Sequence, residues 1–247
     1  MTTDAADFYT GIVADVYGLL RGTHFDAEPY LAFVRAEGEP ALELGCGDVG
    51  PFLELVRQGL DVEGVDSSAD MVRRCRERAA REGLRPTIHH QRMEDLSLGR
   101  RFRAIYLAGP TFNLLPDDAT AARALAAIAG HLAPGGAALV PLWAPPPTPR
   151  DEIGRVREGS SDGRRATFAI LDELHDPRTR TRTSRVRYEL EGAHGVDVLE
   201  RDWVLHWYTT DGFRQMAGDA GLVVEAVDEP RPDGSVVLLR AAPRSRG

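Results

Sequence analysis

Up to residue 142, short apolar runs alternate with stretches whose apolar residues recur at helical spacing. The apolar runs predict strands at 40–44, 60–65, 86–90, 102–108 and 137–142. The spaced residues predict helices at 10–22, 26–37, 50–58, 67–81 and 117–132. Strands separated by helix-length segments require crossover connections, so we predict a parallel sheet with helices on both faces.

The pattern changes at residue 144, where a proline-rich connector, APPPTPR, begins. Three strand-like stretches then follow and predict an antiparallel meander at 165–174, 181–191 and 197–208. The chain closes with a short helix and a hairpin that turns at 230–234, predicted at 211–220, 222–227 and 235–241.

This pattern divides the 247 residues into three expected units. They are an N-terminal helical lid over 1–38, an α/β core over 39–143 and 210–247, and an antiparallel β insert over 144–209.

The composition of the chain disfavours several classes of binding partner. A net charge of −8 disfavours nucleic acid, and no run of about 18 apolar residues is present for a membrane span. The N-terminus lacks a basic-then-apolar signal pattern, and two cysteines cannot build a disulfide framework or a zinc cluster. We therefore expect a cytoplasmic protein that acts on small molecules, without nucleic acid, membrane or metal.

The segment 41–66 carries the most chemical information. A predicted strand ends at Leu44, the chain turns on Gly45 and Gly47, and a helix follows. Glycine lets the backbone pass close under a ligand, and the N-terminus of the helix offers free N–H groups. Asp66 ends the next strand, so its carboxylate lies at the same rim and can accept both hydroxyls of a ribose. The sequence therefore predicts a nucleoside site.

Two nucleoside cofactors fit this turn. Gly45, Gly47 and Gly50 match the spacing of a dinucleotide site, which makes a nicotinamide-dependent oxidoreductase one alternative. Glu43, at the end of the strand, disfavours it because a pyrophosphate would meet a like charge in a site of low dielectric. S-adenosylmethionine has no phosphate and carries a sulfonium and an ammonium group, for which Glu43 is a partner. We therefore favour S-adenosylmethionine.

The ordered motifs ELGCG, GVD, Met71, MEDL and LAPGG, over about 40–142, resemble the class I S-adenosylmethionine-dependent methyltransferase family. The resemblance implies a Rossmann-like, doubly wound, seven-stranded α/β sheet of order 3-2-1-4-5-7-6, with the last strand antiparallel and the β insert after strand five. The segment HHQRMEDLSLGRRF and that insert are more narrowly similar to small-molecule methyltransferases of bacterial secondary metabolism, including amino-sugar N-methyltransferases.

This likeness implies methyl transfer to an amine or hydroxyl of a small metabolite, plausible acceptors being an amino sugar or a natural-product scaffold, with S-adenosylhomocysteine as product. Binding of S-adenosylmethionine without transfer is the alternative from another class.

The resemblance also implies a role for each cofactor-site residue. The methionine moiety lies over Glu43, Gly45, Cys46 and Gly47, the ribose on Asp66, and the adenine against Ser67, Met71, Arg92, Met93 and Glu94. The loop that faces the methyl group begins at Leu107, Ala108 and Gly109. Two positions depart from the pattern of many members, which have a third glycine at Val49 and an aspartate at Arg92.

The acceptor side is predicted from aromatic and titratable side chains. Tyr17, on the lid, offers its ring to the sulfonium and is a candidate for both cofactor contact and catalysis. His206 is the candidate general base. In the third meander strand Trp203 shares one face with Leu205, and His206 shares the other with Tyr208. The predicted substrate contacts are Tyr9, Asn113, Trp143, Trp203, His206 and Tyr208.

Two further expectations concern helix capping and assembly. Asp117 and Asp118 are expected to cap a helix rather than bind a metal. Exposed edges of the meander make a homodimer an expected assembly.

Overall fold

The structure is a computed structural model and describes residues 8–21, 25–161, 163–192, 195–227 and 234–242. The helices are α1 (Ile12–Arg21), α2 (Glu28–Glu37), α3 (Phe52–Arg57), α4 (Ala69–Arg81), α5 (Asp118–His131) and α6 (Thr210–Asp219). The first five strands are β1 (Ala41–Leu44), β2 (Val62–Asp66), β3 (Thr87–His90), β4 (Phe102–Leu107) and β5 (Leu132–Leu142). The others are β6 (Arg157–Ser161), β7 (Arg164–Asp176), β8 (Thr181–Gly192), β9 (Gly195–His206), β10 (Leu222–Val227) and β11 (Ser235–Ala241). None of the helices described is long and apolar enough to cross a membrane.

The main sheet has seven strands in the order β10-β11-β5-β4-β1-β2-β3. Strands β1 to β5 pair in parallel, and β11 pairs antiparallel with both β5 and β10. Because β10 and β11 are the sixth and seventh strands of this sheet, the predicted order 3-2-1-4-5-7-6 with an antiparallel last strand is confirmed. From β1 the chain adds β2 and β3 on one side, and it then crosses to the other side of β1 to add β4 and β5. At such a switch point between β1 and β4, a crevice opens at the carboxyl ends of the strands.

Alternation along the central strands supplies two apolar layers. On β4, Ile105 and Leu107 pack with α5 on one face, while Ala104 and Tyr106 pack with α2, α3 and α4 on the other. Two caps start helices where the sequence places them: Ser68 Oγ accepts from Met71 N, and Asp117 accepts from Thr120 N. The expected capping role of this aspartate is confirmed.

The second sheet is antiparallel and contains four strands in the order β6-β7-β8-β9, after strand five as expected. The prediction of three strands was wrong, because β6 (REGSS) has no apolar alternation and every described residue in it is at least partly exposed. Pairing with β7, where Arg157 lies opposite Phe168, makes it a strand. A Cβ on Gly159 would lie 2.4 Å from the backbone oxygen of Leu19, so glycine lets β6 pass directly against α1.

The predicted hairpin of β10 and β11 is confirmed. Most of its turn, at 230–233, lies outside the described residues, as do residues 1–7 and 22–24 of the expected lid.

Candidate active site

A cavity of about 540 Å³ lies where β1 and β2 end, between the main sheet, the N-terminal segment and β9. Its wall contains these predicted cofactor-site residues: Tyr17, Gly45, Gly47, Asp66, Ser67, Met71, Arg92, Met93 and Glu94. Residues far apart in sequence therefore meet around one space.

The glycine turn forms the floor of the cavity. Gly45 and Gly47 have φ values of 71° and 51°, a left-handed conformation that side chains disfavour. The N–H groups of Gly45 and Cys46 donate to the oxygen of Val65, which fixes the turn against β2. A Cβ on Gly45 would lie 2.5 Å from Cγ2 of Thr111, whereas a Cβ on Gly47 would meet open space. The turn therefore packs tightly at its first glycine and leaves room above its second.

Asp66 stands beside this turn. Its Oδ2 accepts from the N–H of Gly47 at 2.9 Å, and its Oδ1 accepts from the N–H of Ser68 at 2.8 Å. Burial raises the pKa of Asp66, and these two hydrogen bonds oppose the shift. A carboxylate has about four acceptor positions, so lone pairs remain for donors in the cavity that Asp66 lines.

Glu43 lies beneath the turn and not on the cavity wall. Its side chain is fully buried, and Oε1 lies 3.1 Å from the position that a Cβ on Gly50 would take. Burial raises the pKa of Glu43 well above its usual range, although the neighbouring Tyr106 hydroxyl opposes the shift. The sequence predicts a direct or water-mediated contact of Glu43 with a cofactor ammonium, and a direct contact would require the carboxyl to leave this position.

Other predicted cofactor residues are also absent from the cavity wall. Cys46 is buried near Gly64, and Leu107 is buried in the core. The N–H of Gly109 donates to the Tyr30 hydroxyl at 3.2 Å. The loop turns at Gly109, where φ is 70°, and reaches the cavity only from Thr111 onward. The part of this loop that lines the cavity is therefore Thr111, Leu114, Leu115 and Pro116 and not the predicted Leu107, Ala108 and Gly109.

Aromatic side chains cover the other side of the cavity. The rings of Tyr9 and Tyr17 meet edge to face, with centroids 5.1 Å apart, and both line the cavity. Phe8 stacks on Trp203 with centroids 6.1 Å apart, and both also reach the wall. Three of these four residues are predicted from sequence. Phe8 was missed because it precedes the helical repeat and gives no periodic signal.

Asn113 was predicted to contact substrate, but its side chain is fully buried and connects the backbone at Trp143 to the backbone at His206. Its Nδ2 donates to the backbone oxygens of Trp143 and His206, at 2.7 and 2.8 Å, and its Oδ1 accepts from Trp143 N at 3.0 Å. These contacts use the polar atoms of the amide, so Asn113 is a structural residue.

His206 was predicted as a general base, and the structure corrects this as well. It is buried and absent from the cavity wall, and its Nε2 lies 3.0 Å from Oδ1 of Asp118 at the start of α5. Strand β9 ends at this histidine. Trp203 and Val204 of the same strand do line the cavity. Trp203 and Val204 are consecutive, so alternation along β9 does not separate the residues that line the cavity from those that do not.

Trp143 and Tyr208 line a different cavity, of about 360 Å³, between the end of β5, α6 and the β10–β11 hairpin. These two predicted substrate contacts therefore lie outside the lining of the first cavity. Among the residues described, no group of three or more histidine, cysteine, aspartate or glutamate side chains could hold a metal ion.

The chain is similar in sequence and in fold to known methyltransferases. The sequence profile of a methyltransferase domain family matches residues 41–136. The chain is 32% identical over 192 residues to dTDP-3-amino-3,4,6-trideoxy-α-D-glucopyranose N,N-dimethyltransferase of Streptomyces venezuelae, covering 68% of this chain and 77% of that protein. It is 29% identical over 228 residues to dTDP-3-amino-3,6-dideoxy-α-D-glucopyranose N,N-dimethyltransferase of Streptomyces fradiae, covering 88% and 86%.

Two solved structures share the fold. DesVI of Streptomyces venezuelae superposes with a TM-score of 0.75 at 24% identity, over 93% of this chain and 98% of that one. CalS10 of Micromonospora echinaspora is described as an amino pentose methyltransferase involved in calicheamicin biosynthesis, with S-adenosylmethionine bound. It superposes with a TM-score of 0.70 at 22% identity, over 96% and 99%.

Proposed function

Because the chain belongs to the class I S-adenosylmethionine-dependent methyltransferase family, we propose that it N-methylates the amino group of a deoxyamino sugar carried on a nucleoside diphosphate. The support is that two curated relatives act on dTDP-linked 3-amino sugars. The observation that carries the proposal is the Asp66 carboxylate, held by Gly47 and Ser68 at the rim of the cavity. The pathway is one of secondary metabolism, such as antibiotic biosynthesis.

The residues present fit S-adenosylmethionine. Asp66 would accept from the ribose hydroxyls, the open space above Gly47 would admit the chain of the methionine moiety, and Met71 and Met93 would enclose the adenine. When bound, S-adenosylmethionine supplies an electrophilic methyl group on sulfur. Tyr9 and Tyr17 exclude water from this space and offer ring faces to a cation.

Alignment of the acceptor supplies much of the rate of an in-line displacement. The acceptor nitrogen would enter this space as the neutral amine and would become an ammonium on receiving the methyl group, with S-adenosylhomocysteine as the coproduct. The resulting ammonium then releases its proton to solvent. A neutral amine already has a free lone pair and requires an enzymic base less often than a hydroxyl does, which agrees with a His206 that contacts Asp118 and is absent from the cavity wall. Tyr9, Tyr17 and Trp203 hold the acceptor by the walls they form.

The test is incubation of the protein with S-adenosylmethionine and a dTDP-linked 3-amino-deoxysugar, with the matching 3-hydroxy sugar nucleotide as control. We expect S-adenosylhomocysteine together with a sugar that carries one or two added methyl groups, measured by mass spectrometry. Methylation of the hydroxy control but not of the amine would contradict N-methylation. Methylation of neither, with cofactor bound, would contradict the nucleotide-sugar acceptor.

We also propose that the protein works in the cytoplasm as a homodimer. Cys46 and Cys75 are buried free thiols, as in proteins of reducing compartments. Leu174, Val196 and Val198 are exposed on the same outer face of the second sheet. The free edge of β9 adjoins this face, and such edges tend to pair.

A further inference from the structure

One arginine joins the glycine turn to the helix that carries Tyr17. Arg74, on α4, donates from Nε to Oδ2 of Asp48 at 2.7 Å and from Nη1 to Oδ1 of Asp15 at 2.6 Å. Asp48 directly follows Gly47 in the turn, and Asp15 lies on α1, two residues before Tyr17. A single guanidinium therefore joins two elements that both contribute residues to the cavity wall.

The contacts continue in both directions from this arginine. Toward the cavity, the backbone N–H of Gly47 donates to Asp66. Away from it, Asp15 accepts from Arg164 of β7 at 3.0 Å through its second oxygen. A connected path therefore runs from the carboxylate proposed to hold the ribose, through Asp48, Arg74 and Asp15, to the second sheet.

Burial distinguishes this bridge from an ordinary surface ion pair. The Asp48 side chain is 7% exposed and that of Arg74 is 23% exposed. Exposed pairs contribute little, whereas partly buried, hydrogen-bonded pairs are strengthened by the lower local dielectric. Arg78 donates from Nη1 to the backbone oxygen of Asp48 at 2.8 Å, which holds the turn from a second side.

Packing holds the guanidinium against α1. A Cβ on Gly18 would lie 3.0 Å from Nη2 of Arg74, so glycine at this position lets the helix approach the arginine closely. The start of the N-terminal segment has anchors of its own. Gly11 N donates to Asp70 and Ser68 Oγ donates to the oxygen of Tyr9, at 2.7 and 2.6 Å. Loss of Arg74 would therefore leave the segment attached but free the helix from the turn.

We propose that Arg74 is a positioning residue that sets α1, and with it Tyr17, over the cavity according to the position of the glycine turn. Cofactor that holds the turn then also holds the helix, so that Tyr17 is fixed on the cavity wall more firmly when the cofactor is bound. By linkage, a closed helix strengthens cofactor binding to the same degree. This inference goes beyond the proposed function, because it concerns the lid and does not depend on which acceptor is used.

The test compares hydrogen–deuterium exchange of residues 12–21 with and without saturating S-adenosylhomocysteine. Wild type is compared with Arg74→Lys, Asp15→Asn and, as a matched control, Arg81→Met at the exposed end of α4. Lysine keeps the charge, but its compact ammonium lacks the planar fork that reaches two carboxylates. Asp15→Asn leaves the Arg74–Asp48 contact in place and weakens the contacts of Asp15 with both Arg74 and Arg164. Arg164→Met removes only the second of these contacts and is the control for it.

We expect the product cofactor to slow exchange in α1 of wild type and Arg81→Met by about tenfold. In Arg74→Lys and Asp15→Asn we expect little or no slowing, although calorimetry still detects cofactor binding. Once an acceptor is known, its KM should rise while kcat changes little. If cofactor slowed exchange in α1 of Asp15→Asn as much as in wild type, the proposal would be overturned. If Arg74→Lys fails to fold, the result for Asp15→Asn is sufficient to test the proposal. Because exchange is read without an acceptor, failure here is distinct from failure of the proposed substrate.

Discussion

At the scale of single residues, we propose that cofactor affinity depends most on Asp66. It already accepts two backbone hydrogen bonds, and its remaining lone pairs are available to hydroxyl donors in the cavity. Because hydrogen bonds to a charged group contribute about 1.5–3 kcal/mol each, we expect Asp66→Ala to weaken binding of S-adenosylmethionine by about 10- to 100-fold or more, as measured by calorimetry. Asp61→Ala, an exposed acid at the opposite end of β2, is the control. If Asp66→Ala bound S-adenosylmethionine as tightly as wild type, Asp66 would not be the residue that holds the ribose.

Glu43 has a consequence for stability. Its pKa in the folded protein is raised by burial, so the folded state keeps a proton that the unfolded chain releases. The stability that depends on this proton is full below the ordinary glutamate pKa and is lost as pH rises through the raised value. The loss is about 1.4 kcal/mol for each pH unit between the two values.

Glu43→Gln cannot ionise, so we expect its stability to fall less than that of wild type between pH 5 and pH 8. Urea unfolding at the two pH values measures this difference, and Glu54→Gln, on the surface of α3, is the control. Identical pH dependence in Glu43→Gln and wild type would show that the carboxyl is already ionised in the folded state.

At the scale of elements, the end of β9 is joined to the start of α5. His206 and Arg180 both contact the Asp118 carboxylate, and Asn113 binds the backbone oxygen of His206. Asp117 and Asp118 also place negative charge at the N-terminus of α5, where the helix dipole favours it. These contacts connect the second sheet to the core.

We therefore expect His206→Gln to lower the free energy of unfolding by about 1 kcal/mol, through loss of the contact between the buried imidazole and the half-exposed Asp118. The shape of the pH profile of kcat/KM should not change, because the imidazole is absent from the wall of the cavity. Thermal unfolding and steady-state kinetics of the same variant measure the two effects. If His206→Gln instead removed the fall of kcat/KM at low pH and left the stability unchanged, His206 would be the general base.

At the scale of the whole molecule, the exposed apolar face of the second sheet bears on assembly. Val196 and Val198 are 55% and 49% exposed beside the free edge of β9. We expect sedimentation velocity to detect a dimer, and we expect Val198→Asp to shift it toward monomer by placing a charge in the contact. Val223→Asp, at an exposed position of β10, is the control. If Val198→Asp remained a dimer, this face of the second sheet would not be the dimer interface.

Much of the fold follows from the sequence because its signals are local. The alternation of apolar runs and helical repeats predicts every strand of the main sheet, and glycines at Gly45 and Gly47 indicate a turn that side chains disfavour. Asp66 ends its strand, so its place at the rim follows from the parallel sheet alone. Family resemblance supplied the strand order. By contrast, β6 became a strand only through pairing with β7, a contact that its own residues do not signal.

The sequence by itself thus determined the parallel core, the glycine turn and the carboxylate beside it, since backbone conformation and strand ends specify all three. Only the tertiary structure decided which side chains reach the cavity. Asn113 and His206 bind other segments, Trp143 faces a different cavity, and Thr111 replaces Gly109 on the wall. The direction of these side chains depends on partners distant along the chain, and residue periodicity carries no information about such long-range packing.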